Sequence, residues 1–447
     1  MDTLSLLRSG KLAGSTRLDL SCGLRQFPAE IYGLADTLEI LNLSGNALSS
    51  LPNDLPRLHK LRVIFCSDNQ FTHVPEVLGA CPQLEMVGFK ANRIRHLPAT
   101  ALPEKLRWLI LTDNQLPELP AELGQCTRLQ KLMLAGNQLQ QLPEEMAACR
   151  NLELLRISAN RFAALPPWLL TLPRLSWLAF ASNPFADAFE SAAMAKQTIA
   201  SINWNELELR HKLGEGASGI IHQAEWQRAP DDATSVAVKL FKGAVTSDGL
   251  PRSEKAACIT AGTHPNIIPV AGKVIGHPAA TSGLVMPLID PHYKNLAGPP
   301  SLDSCTRDIY QDGTRFSFDN ALSMAHGIAS AAEHLHQQGI MHGDLYAHNM
   351  LWNGQGNCLL GDFGAASFMP RDDAPTALAL QRIEVRAFAC LLQELLERCD
   401  TPHEVADHFA QLKELQQRCG QADVGARPLF SEIRLALEEL AGNAVEA

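Results

Sequence analysis

The chain has 447 residues, of which 46% are hydrophobic and 19% are charged, and its formal net charge is −10. This composition is that of a folded protein with enough apolar material for more than one core. The acidic balance argues against nucleic acid or an anionic membrane as the main partner, because both attract a positive surface.

The cysteines and the first residues of the chain indicate the cellular compartment in which the protein works. The eleven cysteines are scattered without paired spacing, which predicts reduced thiols and a cytoplasmic protein. The opening MDTLSLLRSGKLAG lacks the apolar core of a secretory signal, and no apolar run approaches the roughly 18 residues of a membrane span. Secretion into a host by a route without a cleaved signal stays open.

Residues 15–183 repeat with a step of 22 or 23 residues. The copies follow the pattern LxxLxLxxNxLxxLP, which resembles the leucine-rich repeat family. The resemblance implies one short strand per copy, leucines in a shared core, and asparagines that hydrogen-bond backbone groups of adjacent coils. The recurring asparagines are Asn46, Asn69, Asn92, Asn114, Asn137, Asn160 and Asn183. We therefore predict a repeat domain over 1–183 with about eight repeats, followed by a helical cap and linker over 184–204.

The positions between the repeat leucines are unusually apolar for a strand face that should meet solvent. Such a face indicates a binding surface for a protein. The partner is either an external protein, including a substrate, or the second half of this chain in an intramolecular contact. The residues predicted to bind it include Phe65, Trp108, Met133 and Trp177.

The second half opens with a glycine-rich motif, LGEGASGI, followed by a strand that reads VAVK and ends at Lys239. A GxGxxG motif alone also fits a dinucleotide-binding turn, but the lysine that follows gives the order seen in kinases. The stretch from about residue 205 to 440 resembles the protein kinase family. The resemblance implies ATP as cofactor, bound by Gly214, Gly216, Gly219, Ile221, Ala237, Lys239, Met286, Leu288 and Leu351.

The resemblance also implies the catalytic residues. Lys239 would pair with Glu254 on a helix and hold the ATP phosphates. In MHGDLYAHNM, residues 341–350 and hereafter the catalytic loop, Asp344 would orient the substrate hydroxyl. Asn349, together with Asp362 of the DFG motif, would bind Mg²⁺.

Several positions depart from the family pattern. Gly343 replaces an Arg that, in many kinases, grips a phosphorylated activation segment, so we predict that activity does not require such phosphorylation. Tyr346 stands where Ser/Thr kinases commonly carry Lys. Glu384 replaces the expected Asp of a buried helix only 22 residues after Asp362, so the activation segment is short.

The end of that segment also differs. Ala-Pro-Thr at 374–376 resembles a remnant of the family's Ala-Pro-Glu, with Thr376 in place of Glu. Arg427 would then lack its usual carboxylate partner unless Glu384 or another acid replaces it.

These features predict an α/β repeat solenoid with parallel strands, followed by a two-lobed α+β protein-kinase-like domain over 205–440 and a tail over 441–447. The opening IxWxELELRHKLGEGASG of the kinase half and its Trp226 resemble the tyrosine-kinase-like group, in a form that lacks the usual Arg before the catalytic Asp. This resemblance implies a Mg-ATP-dependent Ser/Thr kinase. The alternatives are a pseudokinase scaffold that acts through its repeats and a small-molecule phosphotransferase, since HGDL also occurs in the latter.

Overall fold

The computed structural model describes residues 2–229, 232–243, 245–400 and 405–445, with side chains up to residue 442. The predicted tail, 441–447, therefore lies partly outside the described residues. The chain divides into two compact units, residues 1–174 and residues 175–447. In the described part of the chain, no helix is both long and apolar enough to cross a membrane.

The first unit is built from parallel strands of three residues, each followed by a short return segment that often forms a 3-10 turn. Each strand pairs with the strand one repeat later, so Leu41 lies between Leu18 and Ile64, and all three side chains are buried. A short helix, α1 (Thr3–Arg8), precedes them. The strands are β1 (Arg17–Asp19), β2 (Ile40–Asn42), β3 (Val63–Phe65), β4 (Met86–Gly88), β5 (Trp108–Ile110), β6 (Lys131–Met133) and β7 (Leu154–Arg156).

Buried asparagines join neighbouring repeats, as the repeat pattern predicts. Asn137 accepts a hydrogen bond from the backbone N–H of Leu116 at 3.0 Å. Its side-chain amide donates to the carbonyl oxygens of Leu111 and Leu134 at 2.9 and 3.0 Å. Because turn backbone without a partner is costly to bury, this one side chain satisfies three groups that the stacked coils would otherwise leave unpaired.

The second unit begins with residues that carry the last copy of the repeat pattern. These form β8 (Trp177–Ala179) and the cap helix α2 (Pro184–Ala195). The helix predicted after Asn183 is confirmed. The structure thus groups residues 175–183, which the repeat pattern assigns to the first domain, with the rest of the chain.

A six-stranded sheet follows, in the order β10-β11-β12-β14-β13-β9. Buried residues pack against this sheet in two clusters, one with Val238 and Val285 and the other with Leu284 and Ile259 of helix α3. Helix α3 (Pro251–Ala261) lies between the fourth and fifth strands of the sheet in chain order. The strands are β9 (Ser201–Asn203), β10 (Leu207–Glu215), β11 (Gly219–Ala229), β12 (Asp232–Phe241), β13 (Gly272–Ile275) and β14 (Gly283–Pro287).

The remaining residues are mainly helical and carry two small sheets, ordered β15-β17-β18 and β16-β19. The strands are β15 (Lys294–Asn295), β16 (Ile340–Met341), β17 (Met350–Trp352), β18 (Cys358–Leu360) and β19 (Ser367–Phe368). The helices are α4 (Phe318–Gln337), α5 (Ala374–Glu397), α6 (Ala406–Cys419) and α7 (Phe430–Val445). A parallel-strand repeat unit followed by a domain of mixed sheet and helices is the predicted fold class, which is confirmed.

Candidate active site

The glycine-rich motif forms the turn of the antiparallel hairpin β10–β11. A Cβ at Gly219 would lie 2.6 Å from the carbonyl oxygen of Leu240 on the neighbouring strand, so only glycine fits there. At Gly214 and Gly216 a Cβ would meet no described atom within 4 Å. Those two glycines keep the hairpin turn bare, so that backbone N–H groups could approach a ligand closely.

A cavity of about 510 Å³ lies within the second unit, between the sheet and the small sheet β15-β17-β18. Its volume falls within the range of small-molecule sites. The predicted nucleotide contacts that line it are Ile221, Ala237, Lys239, Met286, Leu288 and Leu351. His211, Ile268 and Val270 also line it, although no sequence motif marks them. The three glycines lie in the hairpin rather than in the described cavity wall.

Lys239 and Glu254 form an ion pair, which joins β12 to α3. Glu254 is only 2% exposed, and burying either charge alone would be costly. Burial by itself would lower the pKa of Lys239, but the Glu254 and Asp362 carboxylates outweigh it and raise that pKa above its usual value. Lys239 therefore stays protonated at neutral pH and can hold an anion at the cavity wall.

The catalytic loop positions Asp344 next to Asn349. The Asn349 side-chain amide donates to the Asp344 carboxylate at 2.8 Å and to its carbonyl oxygen at 3.0 Å. This pairing turns the amide oxygen of Asn349 away from Asp344. His342 is fully buried and contacts the carbonyl oxygen of Gly361 at 3.0 Å, so it packs in the core and does not face the cavity.

Asp362 lies beside this loop because β17 and β18 are paired. Met350 is opposite Leu360, and the N–H of Gly361 donates to the carbonyl oxygen of Asn349 at 3.0 Å. Asp362 adopts a φ of +53°, a conformation that costs free energy for a residue with a side chain. It lines the cavity and its carboxylate accepts from the N–H of Gly364 at 3.2 Å.

These residues suit a nucleotide with a divalent cation. Asp362 supplies a carboxylate and Asn349 an amide oxygen, which are hard ligands of the kind that Mg²⁺ prefers. Lys239 supplies a cation for phosphate oxygens, and the apolar lining of the cavity can take a flat base. All of them belong to elements of the second unit.

Glu384 of α5 holds the first part of the catalytic loop through hydrogen bonds to its backbone. Its carboxylate is fully buried and accepts from the backbone N–H groups of His342 and Gly343, at 3.2 and 2.7 Å. His336 contacts it at 2.7 Å. Burial opposes ionisation, but these hydrogen bonds and the nearby imidazoles lower the pKa of Glu384 below its usual value. The longer carboxylate thus performs an anchoring task at the position where an Asp is expected.

Asp308 anchors the other end of the loop, and sequence reasoning did not find it. It accepts from the backbone N–H of His348 at 3.0 Å and contacts the imidazole Nδ1 at 2.7 Å. Burial would lower the pKa of His348, but the hydrogen bond and charge of Asp308 raise it. No motif surrounds Asp308, and 40 residues separate it from His348.

Tyr346 packs against Trp177 of β8. Their rings are stacked, with centroids 4.2 Å apart and planes 8° apart, and both side chains are buried. The Trp177 indole N–H donates to the carbonyl oxygen of Leu345 at 3.2 Å. Of the two partners predicted for Trp177, the structure supports the second half of the chain rather than an external protein, because the Trp177 ring is buried against the catalytic loop.

The segment after the DFG motif is short and runs directly into α5. Residues 374–376 form the first turn of that helix, capped by Asp373, whose carboxylate accepts from the backbone N–H of Thr376 at 3.1 Å. These residues therefore form the start of a helix.

Arg427 is held by backbone oxygens. Its guanidinium donates to the carbonyl oxygens of Gln421 and Arg382 at 2.8 and 3.0 Å. Burial lowers the pKa of Arg427 to about 10. Glu384 does not replace the missing carboxylate partner, because its own carboxylate is engaged by the catalytic loop.

Comparison with known families separates the two halves of the chain. Residues 207–390 match the family described as protein tyrosine and serine/threonine kinase. Residues 37–58 and 104–162 match leucine-rich repeat families.

Individual relatives agree. The chain is 28% identical to Cyclin-dependent kinase 11.1 of Caenorhabditis elegans over 37% of its length and 22% of the relative's. It is 26% identical to Tyrosine-protein kinase Abl of Drosophila melanogaster, over 53% of its own length and 16% of the relative's. It is 34% identical to Transforming growth factor beta activator LRRC32 of Mus musculus, over 23% of its own length and 16% of the relative's. The chain thus spans less than a third of the length of these relatives. It combines leucine-rich repeats with a protein kinase domain.

Proposed function

We propose that this protein is a Mg-ATP-dependent protein kinase that phosphorylates Ser or Thr, with its repeats recognising a protein partner or substrate. The observation that carries the proposal is the grouping around one cavity of the Lys239–Glu254 ion pair and Asp362, next to the hydrogen-bonded Asp344 and Asn349.

Each residue has a task that its surroundings support. Lys239, kept protonated by Glu254 and Asp362, holds phosphate oxygens. Asp344 accepts the proton of the substrate hydroxyl, whose oxygen bonds to the terminal phosphorus as the bond to the leaving diphosphate oxygen breaks. Asn349 and Asp362 would hold Mg²⁺, which, when bound, neutralises charge on the phosphates.

The choice of Ser/Thr rests on the resemblance to the tyrosine-kinase-like group. The relatives include both a cyclin-dependent kinase and a tyrosine-protein kinase, so they support protein phosphorylation without choosing the acceptor. Phosphosite mapping after incubation with Mg-ATP identifies the acceptor directly. Phosphotyrosine alone would contradict this part of the proposal.

The strand face of the first unit is the proposed partner surface. Phe65 and Trp108 are half-buried and meet edge to face, with centroids 6.4 Å apart. The Lys131 ammonium lies 4.2 Å from the Trp108 ring centroid. Met133 is 8% exposed and contributes less surface. Aromatic side chains with a nearby cation are typical of protein-binding patches.

Phosphoryl transfer is tested with labelled ATP and Mg²⁺. Asp344→Asn keeps the shape of the side chain but removes the base, and we expect a fall in rate of at least about a hundredfold. The matched control is Asp312→Asn, which removes the same charge from an exposed loop. Equal incorporation in wild type and Asp344→Asn would refute the proposal. Mg²⁺-dependent thermal stabilisation by nucleotide without any turnover would instead support a scaffold.

A small-molecule phosphotransferase is the second candidate. One observation favours it: only residues 363–373 lie between Asp362 and α5, which leaves little chain to build a platform for a peptide. The same assay separates the two, because a protein kinase transfers label to protein. Label that appears only on an added amino alcohol or aminoglycoside would favour the second candidate.

A further inference from the structure

We propose that residues 175–195, hereafter the lead segment, are a built-in positioning element of the kinase domain. They hold the catalytic loop and helix α3 in the arrangement that phosphoryl transfer needs. The segment lies upstream of the stretch that matches the kinase family, which begins at residue 207. The activity part of this inference rests on the proposed kinase function, whereas the structural part does not.

The first contact is with the catalytic loop. Trp177 is 1% exposed, covers the Tyr346 ring and donates to the carbonyl oxygen of Leu345, which directly follows Asp344. One side chain therefore fixes both the backbone and a ring of the loop. Tyr346 in turn begins the short turn that carries Asn349, whose N–H donates to the Tyr346 carbonyl oxygen at 3.1 Å.

The second contact is with the segment after the DFG motif. The backbone N–H of Phe180 donates to the hydroxyl of Ser367 at 2.9 Å. The carbonyl oxygen of Leu178 lies so close to Gly343 that a Cβ there would be 2.7 Å away. The lead segment thus occupies the space into which an Arg at position 343 would extend.

The third contact is with helix α3. The hydroxyls of Ser182 and Ser253 are 2.7 Å apart, and Ser253 also donates to the carboxylate of Glu190 on α2 at 2.9 Å. Ser253 is 2% exposed and directly precedes Glu254, the partner of Lys239. Burial raises the pKa of Glu190, as expected for a carboxyl inside a packed contact.

These contacts reach the three parts that kinases must align: the helix that carries the ion-pair Glu, the catalytic loop, and the segment after the DFG motif. In many kinases a phosphorylated residue brings them together. Here the lead segment is covalently attached and contacts all three at once. The consequence is a kinase domain aligned without a phosphorylation switch, and dependent on residues outside its family match.

The test uses the full chain with two variants of the same residue. Trp177→Ala removes the stack and the indole donor, whereas Trp177→Phe keeps a ring against Tyr346. The matched control is Trp168→Ala, which removes a half-buried Trp from the first unit. Ser253→Ala tests the contact to α3 with a smaller change. The measurements are kcat, KM for ATP, and amide hydrogen exchange of residues 251–261 and 340–350.

We expect Trp177→Ala to lower kcat at least about tenfold with KM for ATP within about twofold, because the loop moves while the cavity wall stays. Trp177→Phe should recover most of kcat, and Trp168→Ala should match wild type. Exchange should rise at residues 340–350 in Trp177→Ala and at residues 251–261 in Ser253→Ala.

Unchanged kcat and unchanged exchange in Trp177→Ala and Ser253→Ala would overturn the proposal. If wild type transfers no phosphate, the proposed kinase function fails, and the exchange measurements alone decide this inference. If Trp177→Ala does not fold, Trp177→Phe and Ser253→Ala still decide it. A fall in kcat that Trp168→Ala reproduces would also contradict it.

Discussion

Trp177 and Tyr346 lie face to face, with ring centroids 4.2 Å apart, inside the second unit. Tyr346 stands where the resemblance to Ser/Thr kinases implies a Lys near the transferred phosphate. A Lys could not form this stack, and a buried ammonium would need a partner of opposite charge. The aromatic residue is therefore explained by its packing against the lead segment. A missing cation at this place predicts slow turnover, since single electrostatic donors contribute a few kcal/mol.

Gly343 should tolerate no side chain. Its φ is +74°, and a Cβ would lie 2.6 Å from the carbonyl oxygen of Ala365 and 2.7 Å from that of Leu178. Gly343→Ala should lower the free energy of unfolding of the second unit by about 2–5 kcal/mol, the sum of backbone strain and overpacking. Denaturation of the full chain, with the second unit followed by hydrogen exchange, measures this.

Gly354→Ala is the matched control for that prediction. Gly354 has a similar φ of +84°, but a Cβ there meets nothing within 4 Å. Its substitution should cost only the backbone strain, about 1–2 kcal/mol. Equal losses in the two variants would show that the close approach of Leu178 contributes nothing.

Among the carboxylates that hold the catalytic loop, Glu384 should cause the largest loss of stability when it is substituted. Removing its charge leaves two backbone N–H groups and His336 without their buried acceptor, so Glu384→Ala should cost about 3–5 kcal/mol. Glu384→Gln keeps the size and one acceptor oxygen, and should cost less. Exposed Glu397 on the same helix provides a control, as Glu397→Ala should change stability by less than about 0.5 kcal/mol.

The same carboxylate gives stability a defined pH dependence. Because the pKa of Glu384 is lowered in the folded chain, its contribution is present above its usual value of 4.5 and is lost as pH falls through the lowered pKa. Between neutral and acidic pH, the free energy of unfolding should therefore decline less steeply in Glu384→Gln than in wild type. Parallel pH profiles would contradict this assignment.

The sequence predicted those parts of the site that follow from motifs. Alternating β-branched residues before Lys239 predict a strand there, and β12 carries Lys239 but runs on to Phe241 instead of ending at the lysine. The repeats form strands because their leucines recur at a fixed step. Motif order also placed Glu254 on a helix within reach of Lys239. These predictions depended on local pattern, which short-range physics largely determines.

The rest could not be read from local pattern. The indole N–H of Trp177 donates a hydrogen bond to the carbonyl oxygen of Leu345, which lies 168 residues further along the chain. No periodicity in the repeats specifies which of their strands will contact the catalytic loop. Because Trp177 matched the apolar column of the repeats, the sequence assigned it to a partner surface and left open whether the partner is an external protein or the second half of the chain. Asp308 has no motif around it. Such residues are chosen by tertiary packing, which a single sequence does not reveal.

The His348–Asp308 pair should make the free energy of unfolding fall as pH rises above the usual histidine pKa of 6.5. The pKa of His348 is raised, so its contribution is fully present below the usual value of 6.5 and is lost as pH rises through the raised pKa. Asp308→Asn should remove this dependence and lower the His348 pKa, as measured by NMR titration. The control is Asp290→Asn, whose partner His292 is exposed, so that pair should contribute little. An unchanged titration of His348 in Asp308→Asn would contradict the pairing.

Substitution of Asn137 tests whether the repeat asparagines stabilise the array through hydrogen bonds between neighbouring repeats. Its side chain is 7% exposed and satisfies one backbone N–H and two carbonyl oxygens. Asn137→Ala leaves those groups unpaired in a buried place, which should cost about 1–3 kcal/mol. Asn53→Ala, at an exposed position of the same unit, should cost less than about 0.5 kcal/mol.

The loss in Asn137→Ala should also be local, because each repeat contacts only its neighbours. Hydrogen exchange should therefore rise first at the amides that Asn137 and its strand neighbours hold, and least near β1. It should leave residues 251–261 of the kinase domain unchanged. A uniform rise over the whole first unit would show instead that the repeats unfold as a single cooperative block, in which case one asparagine reports on the stability of all.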